Sequence, residues 1–500
     1  MRKLYSILSL LILFTSCDDF LDVKTESQVF SEDLLKTDKG YEDALYGIYS
    51  SLRNGNTLYG GHLSWYALGC TAQLWHGGGD INESFSKFDY ESSHVKSSIN
   101  SVWEAMYKVL SNINNILVEI DKSSGIVRKD FYKGEALGLR ALLHFDLIRL
   151  YAPHIEREPN AKGIPYVIKF SSKETAFSSV SEVYTKIIND LLAAEKLLSK
   201  DKDLVNETDE TYEYSFLINR STHFNLYAVQ ALLARVYHYK GDLDNALIYA
   251  EKVIGSGKFD IEDKSKIEYL NIGTLNKKET IFGLIKENDL LEDMKSYFWN
   301  KVSFSSLNPI DEEDEKNPSE NYLNKMNEDN IFGTDLRAKS YFFKNGSNWR
   351  FVKLVNRFKI EDEDTGMPDL SLTDDYTKAL KLYIESKING ISILRLPEMY
   401  YIAAEALMTS NPTKARTYFD KVVESRGLIG LEDRVPEQWV NADEIYWERY
   451  KEYMGEGYAY YNMKKYNKEV YVKILNQTFP ASKDIYVWPI PDSEFDYREN

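Results

Sequence analysis

Three tryptophans lie in stretches of the sequence that show no sustained helical or strand repeat. Trp75 follows a run rich in Gly, Asn, Ser and aromatic residues, while Trp299 and Trp349 stand among Ser and Asn in SYFWN and NGSNWR. An aromatic ring can stack on the C–H face of a sugar, whose hydroxyls need polar partners nearby. These three rings are therefore predicted to stack on a ligand, and a structural role for each stays open. Polar partners are predicted among Tyr66, His76, Asp80, Asn300 and Arg350.

The sequence carries no recognisable catalytic or metal-binding motif. Its seven histidines show no HExxH spacing, and no GxSxG occurs. The IGSGK segment at 254–258 superficially resembles a phosphate loop, but Phe259 stands where Ser or Thr is needed. The acidic runs at 311–315 and 361–364 lack the spacing of an EF-hand loop. Carboxylates are numerous enough for a glycosidase pair, yet nothing distinguishes any two of them. We expect a binding protein that needs no cofactor and no metal.

Composition narrows the class of partner. The 500 residues include 61 Lys plus Arg against 78 Asp plus Glu, a net charge of −17. An acidic chain of this kind is a poor match for nucleic acid, which needs a concentrated basic face. Aromatic residues make up 14% of the chain, and most of them are expected in the core. The length allows one large core or several domains of roughly 150 residues each, and no Gly/Ser or Pro linker divides the sequence.

The first residues, MRKLYSILSLLILFTSC, combine a basic start, a short apolar run and small residues before a cysteine. This pattern is typical of a secretory signal and is too short for a membrane helix. The segment 13–17, LFTSC, resembles the lipobox of bacterial lipoproteins, with Phe14 where Leu is more usual. We predict a signal peptide at 1–16 and lipidation at Cys17, with an ordinary signal peptide as the alternative. Cys70 would then be the only other thiol.

Apolar residues recur at helical spacing in several segments. The clearest, at 129–153, is apolar over most of its circumference, which indicates a helix packed between other helices. Further helices are predicted at 40–52, at 98–120 and at 181–198, the last with Ser181 as its N-terminal cap. Two long stretches, 54–94 and 258–392, lack this repeat and contain the three tryptophans.

Three helix pairs resemble tetratricopeptide units. The pattern of small and large residues is clear at 225–257, with Gly241-Asp242 at the turn, and at 394–427, with Asn411-Pro412 at the turn. The helices predicted at 129–153 and 181–198 are interpreted as a third pair. Because these units are far apart in the chain, the fold must bring them together.

Several blocks resemble the SusD/RagB family of surface lipoproteins. EALGLRA at 135–141 and FDLIRLY at 145–151 are similar to the signature helix of that family. Similar blocks follow in the family order at 183–191, 231–237, 393–406, 448–457 and 488–491. The chain departs from the pattern after Gly457, where Tyr458-Ala459-Tyr460-Tyr461 replace the usual arginine and aromatic residue, which predicts an altered structural salt bridge.

The resemblance implies a mainly α fold, SusD-like and built on tetratricopeptide-like helix pairs, with long irregular loops and little β structure. It implies one domain at 17–500, with a helical scaffold at about 40–255 and 393–465 and ligand-binding loops at about 54–94 and 258–392. In such a domain Glu135, Arg140, Asp146 and Arg149 are interpreted as one polar network inside the scaffold, away from the ligand.

The resemblance also implies a function. It predicts a lipid-anchored, surface-exposed protein of the outer membrane that captures oligosaccharide or polysaccharide and delivers it to a SusC-like TonB-dependent transporter. Two alternatives stay open. A RagB-like member would capture peptides, and a tetratricopeptide-type scaffold would bind partner proteins.

Overall fold

A computed structural model describes residues 34–53, 55–74, 80–205, 216–269, 275–276, 278–285, 304–305, 335–345, 348–351, 353 and 390–496. Its helices are α1 Asp38–Arg53, α2 Ala67–Thr71, α3 Asp80–Ser86, α4 Ser93–Lys122, α5 Lys129–Tyr151, α6 Val180–Leu197, α7 Leu226–Tyr239, α8 Leu243–Ile254, α9 Leu336–Tyr341, α10 Leu396–Leu407, α11 Pro412–Ser425, α12 Ala442–Glu452, α13 Tyr458–Lys465 and α14 Lys483–Tyr486. Its strands are β1 Lys162–Pro165, β2 Phe177–Ser179, β3 Thr280–Ile285, β4 Phe304–Ser305, β5 Phe342–Asn345, β6 Asn348–Phe351, β7 Gly390–Arg395, β8 Val470–Val472 and β9 Gln477–Phe479.

The helices form a continuous stack. Helix α5 packs on α4 and α6, α6 on α7, α7 on α8, and α10 on α11. The contact between α8 and α10 joins the two halves of the stack across the long intervening segment. The three predicted helix pairs therefore lie next to one another, and the mainly α fold class is confirmed. None of the described helices is long and apolar enough to cross a lipid bilayer.

Helix α5 lies inside this stack, as its apolar circumference predicts. Every residue from Gly134 to Tyr151 is buried, and His144 has no exposed surface. The His144 ring lies between two backbone groups, the carbonyl of Arg140 at 2.9 Å from Nδ1 and the N–H of Val167 at 3.0 Å from Nε2. Nδ1 therefore donates and Nε2 accepts, which specifies the neutral ring. Burial accordingly lowers the pKa of His144 to about 3.

The helix ends follow local capping chemistry. Gly241 takes a positive φ of 81° before Asp242 caps α8, and Asn411 caps α11, as the predicted turns require. The prediction that Ser181 caps α6 is wrong, because the cap is Ser179. Three residues after Ser179 stands Glu182, whose carboxylate accepts the Ser179 N–H at 2.8 Å and completes a capping box. Three residues after Ser181 stands a tyrosine, which has no carboxylate to return this bond.

The described strands are short and antiparallel. Strand β3 pairs with β7 and so places residues 280–285 beside residues 390–395. Within that segment β4, β6 and β5 form a three-stranded sheet, which differs from the irregular structure expected there. The sequence holds a hairpin signal at this point, because the pair Gly346-Ser347 lies between two runs rich in aromatic residues.

Two helical glycines differ in their surroundings and give a matched test of the packing. A Cβ at Gly138 of α5 would lie 2.3 Å from Cδ1 of Phe224, whereas a Cβ at Gly47 of α1 would meet nothing within 4 Å. We expect Gly138→Ala to lower the free energy of unfolding by about 1–3 kcal/mol through overpacking. Gly47→Ala should raise it by about 0.5–1 kcal/mol through the higher helix propensity of alanine. Urea unfolding measures both changes, and equal effects would contradict the packing of α5 against Phe224.

Candidate ligand-binding pocket

A small, partly open pocket lies where α5, α7, β7 and the turn between α12 and α13 meet. Its volume is about 30 Å³, which is room for about two water molecules. Four tyrosines, Tyr59, Tyr453, Tyr458 and Tyr461, line it, and we call it the tyrosine pocket. Its charged lining residues are Asp146, Arg149, Arg235 and Glu456, and Leu63, Ser64 and residues 391–393 complete the wall.

Helix α5 supplies the first charged pair. Asp146 and Arg149 lie one turn apart, so the Arg149 guanidinium donates to the Asp146 carboxylate, which also accepts the hydroxyl of Tyr59. The guanidinium carbon of Arg149 is 3.6 Å from the ring centre of Tyr461 and 4.2 Å from that of Phe145. A desolvated guanidinium placed on aromatic faces is strongly held. Arg149 is therefore fixed in position at the pocket wall.

Helix α7 supplies the second arginine. Arg235 makes two parallel bonds of 2.6 Å to the carboxylate of Glu398 on α10, and its third bond, 2.9 Å, reaches the carbonyl of Ile393 at the end of β7. Such fork-shaped pairing fixes both distance and orientation. One wall of the pocket is thereby tied to two helices of the stack and to the β3–β7 pair.

The third wall is the turn between α12 and α13. Gly457 adopts a φ of 74°, and a Cβ there would lie 2.1 Å from the carbonyl oxygen of Leu63. Only glycine lets the turn approach the Leu63 backbone this closely. The preceding Glu456 accepts from Arg395 at 2.9 and 3.0 Å and from Lys353 at 2.6 Å. The turn is therefore fixed by the Leu63 backbone on one side and by Arg395 and Lys353 on the other. It places Tyr458 and Tyr461 at the pocket.

Three buried polar atoms on the pocket walls have no hydrogen-bond partner among the described residues. They are Nε of Arg149 and the hydroxyl oxygens of Tyr453 and Tyr461. The three side chains are all at least nine-tenths buried, with exposed fractions of 4%, 3% and 6%. Buried polar atoms are ordinarily paired, so this concentration at one pocket needs a reason. All three atoms are enclosed by the surrounding protein.

A buried ionic network supports this turn from behind. Five acidic groups face five basic ones, which are Glu279, Asp335, Glu448, Glu452 and Glu456 against Arg337, Lys353, Arg395, Arg426 and Lys451. At its centre Glu452 accepts from Arg395 at 2.7 Å and from Arg426 at 2.9 and 3.0 Å. Burial opposes ionisation of Glu452, but Arg426 and Arg395 outweigh it and hold the pKa of this carboxyl well below its ordinary value.

Comparison with known proteins identifies the family. One family model, SusD-like and described as starch-binding associating with outer membrane, matches residues 19–238, and a second, described as SusD family, matches residues 327–500. The chain belongs to the SusD family. A SusD-like protein of Formosa agariphila is 21% identical over 540 residues, covering 97% of this chain and 95% of that protein.

Solved structures of the SusD superfamily share the fold. A protein of Bacteroides thetaiotaomicron VPI-5482 superposes with a TM-score of 0.67 at 23% identity, covering 92% of this chain and 98% of its own. One from Bacteroides vulgatus ATCC 8482 gives 0.68 at 22% identity, with 92% and 97% covered. A structure described as a laminarin binding SusD-like protein gives 0.62 at 18% identity, with 92% and 98% covered.

The predicted stacking residues stay predictions. Trp75, His76, Trp299, Asn300 and the lipidation residue Cys17 lie outside the described residues. Trp349 and Arg350 lie on β6, opposite Lys344 and Phe343 of β5.

Tyr66 and Asp80 are described, and neither lines the tyrosine pocket. Tyr66 is partly buried just before α2, with its ring 5.0 Å from that of His62 and 5.5 Å from that of Trp65. Burial raises the pKa of Tyr66 to about 12. Asp80 is exposed at the start of α3. The structure does not bring these two residues to the pocket.

The four charged residues of α5 at 135, 140, 146 and 149 are buried inside the scaffold, as interpreted, but they do not form one polar network. Glu135 bonds to Arg220, whereas Arg140 makes two bonds of 2.7 Å to Asp190. Asp146 and Arg149 form a third cluster, which lines the pocket. The three clusters are separate because the charges lie on different sides of a helix that is buried all round.

The pocket tyrosines were missed by sequence reasoning, although a signal was present. The departure from the family pattern after Gly457 places Tyr458 and Tyr461 in the pocket. At this departure the structure pairs Tyr461 with Arg149 through its ring and leaves its hydroxyl unpartnered among the described residues. Tyr59 and Tyr453 carry no such signal, because only the fold brings them close to α5.

The ionic network gives a stability prediction. Glu452→Gln keeps the shape of the side chain but leaves three buried arginines without their shared carboxylate. We expect a loss of about 3–5 kcal/mol in the free energy of unfolding, as for one partner removed from a buried ion pair. The matched control is Asp43→Asn, which breaks the exposed Lys39–Asp43 pair on α1 and should cost at most about 0.5 kcal/mol. Equal losses in urea unfolding would refute the central role of Glu452.

Proposed function

We propose that this SusD-family protein is a cell-surface lipoprotein that captures oligosaccharide or polysaccharide and delivers it to a SusC-like TonB-dependent transporter in the outer membrane. The observation that carries the proposal is the family match, which extends over both halves of the chain. The first family model is described as starch-binding associating with outer membrane, and one structural neighbour is described as laminarin binding. Both descriptions indicate glycan as the ligand class.

The described residues are compatible with ligand binding and show no obvious arrangement for catalysing a reaction. The charged side chains that line the tyrosine pocket are held in ion pairs, and its other polar side chains carry hydroxyls. No histidine or cysteine is among the lining residues. The two lining carboxylates are held by arginine, Asp146 by Arg149 and Glu456 by Arg395. We therefore propose capture without catalysis.

The ligand class can be tested by a binding screen. A chain lacking residues 1–17 is titrated with laminarin, starch, xylan and a mixed peptide digest in isothermal calorimetry. Binding to one or more polysaccharides and none to peptides is the expected result. Binding to the peptides alone would replace glycan capture by peptide capture.

The predicted stacking tryptophans can be tested in the same titration. Trp75→Ala, Trp299→Ala and Trp349→Ala should each weaken glycan binding by about 1–3 kcal/mol, the loss expected for an aromatic anchor. Trp439→Ala is the matched control, because Trp439 is 49% exposed and carries Arg416 on its ring at 4.2 Å, far from the predicted set in sequence. Unchanged affinity in all three variants would show that these tryptophans do not stack on the glycan. It would not affect the ligand class found in the binding screen.

The anchor can be tested by fractionation. Because Cys17 is proposed as the lipidated residue, the wild-type protein should sediment with membranes after a high-salt wash. Cys17→Ala should move it to the soluble fraction, which immunoblotting would detect. The Cys70→Ala variant is the control, since this buried thiol takes no part in anchoring. Sedimentation of the Cys17→Ala protein after the same wash would contradict lipid anchoring.

A further inference from the structure

The loop between α11 and α12, residues 427–441, exposes large apolar side chains to solvent. Val435 is 98% exposed, Ile429 59% and Trp439 49%, whereas among the described residues of α11 and α12 no large apolar side chain is exposed. We propose that the 427–441 loop is the surface by which this protein docks on the SusC-like transporter. This inference rests on the proposed delivery of glycan to that transporter, and it assigns the contact to named residues.

Helix α11 holds the loop in one position. The carboxylate of Asp420 accepts the backbone N–H of Leu431 at 2.7 Å and that of Glu432 at 3.2 Å. The N–H of Gln438 donates to the carbonyl of Leu431 at 3.0 Å and closes the loop at its base. A surface that is ordered before binding loses little conformational freedom when a partner covers it, which favours affinity.

A second residue of α11, Arg416, fixes the exposed tryptophan. Its guanidinium carbon lies 4.2 Å from the ring centre of Trp439, and its guanidinium also donates to the carboxylate of Glu437. The Arg416 side chain is itself buried. A guanidinium placed on an aromatic face stabilises the position of the ring. One cation thus fixes both Trp439 and the acidic residue two positions before it.

The charge around these apolar residues indicates the chemistry of the partner. The 427–441 loop carries three acidic residues and one basic residue, which are Glu432, Asp433, Glu437 and Arg434. Burial raises the pKa of Glu424 on α11, and the carboxylates of Asp420 and of the loop raise it further. The potential here is therefore negative. A partner that covers the loop must bring positive charge to the rim of an apolar recess.

This combination disfavours other occupants. A second copy placed loop against loop would oppose like charges, and an anionic lipid surface attracts basic segments rather than acidic ones. A glycan gains from stacking on a ring, but an aliphatic side chain as exposed as that of Val435 gains only from burial in an apolar recess. A protein with an apolar recess and a basic rim fits both features. The transporter is the protein partner in the proposed function.

Photocrosslinking in intact outer membranes tests the contact. The full-length protein carries a photoreactive side chain through Val435→p-benzoylphenylalanine, and Val127→p-benzoylphenylalanine is the matched control. Val127 is 86% exposed in the connection between α4 and α5, and the two residues after it are basic. We expect position 435 to crosslink to a protein that mass spectrometry identifies as a TonB-dependent barrel. Position 127 should not crosslink to it.

A milder pair of variants tests the apolar contribution. Val435→Ser and Val127→Ser alter exposed side chains, so neither should change the melting temperature. Tagged protein is recovered from detergent-solubilised outer membranes, and the transporter recovered with it is quantified. Val435→Ser should weaken this association about tenfold, as for one buried valine replaced by a polar side chain. Val127→Ser should behave as the wild type does. Equal recovery with Val435→Ser and with the wild type would contradict the docking surface.

The remaining outcomes overturn the inference in distinguishable ways. Recovery of the transporter without a crosslink from position 435 would place the contact elsewhere, while the proposed delivery stands. A crosslink from position 435 to a second copy of this chain, to lipid or to glycan would replace the transporter as the occupant of the loop. If no TonB-dependent transporter is recovered with the wild type and neither position crosslinks to one, the proposed delivery fails, and the docking surface fails with it.

Discussion

One buried carboxylate, that of Glu452, holds together parts of the chain that are far apart in sequence. It lies among the guanidinium groups of Arg337, Arg395 and Arg426, which come from α9, the end of β7 and the end of α11. Removing charges from water is costly, and close oppositely charged partners with satisfied hydrogen bonds are needed to offset that cost. A displacement of any one segment would leave a buried charge without its partner. The network therefore specifies how these segments meet.

The same network determines the shape of the tyrosine pocket. Arg395 bonds to Glu452 and to Glu456, and Glu456 begins the turn that carries Gly457. The turn then approaches Leu63 so closely that only glycine fits, and Tyr458 and Tyr461 follow. Lys353 bonds to the carbonyl of Glu452 and to the carboxylate of Glu456, and burial lowers the pKa of Lys353 to about 8. The pocket wall is thus an extension of the ionic network.

Sequence patterns predict the helices of the stack well, because each helix is specified by residues that are close together in the sequence. The apolar repeat places α5 within two residues of its observed end, and the small residues at 225–257 and 394–427 identify two helix pairs. The capping box formed by Ser179 and Glu182 depends on an equally local spacing. The hairpin signal at Gly346-Ser347 is local in the same way. Both signals depend only on residues close together in the sequence.

The pocket differs in kind, because no local pattern relates its walls. Tyr59 bonds to Asp146, and Arg149 stacks on Tyr461, contacts that join residues far apart in the chain. The sequence shows two charges one turn apart on an apolar helix, and that pattern is consistent with any buried ion pair. Only the observed fold shows that the pair faces a pocket and that a tyrosine covers the guanidinium.

Position 461 illustrates why the departure from the family pattern matters. A tyrosine ring gives Arg149 an aromatic face, which a second charged residue could not provide. The same side chain carries a hydroxyl that the fold leaves without a partner among the described residues. A phenylalanine would supply the ring without the unpaired buried oxygen, so packing alone would favour phenylalanine. The packing of the ring therefore does not explain the hydroxyl of Tyr461.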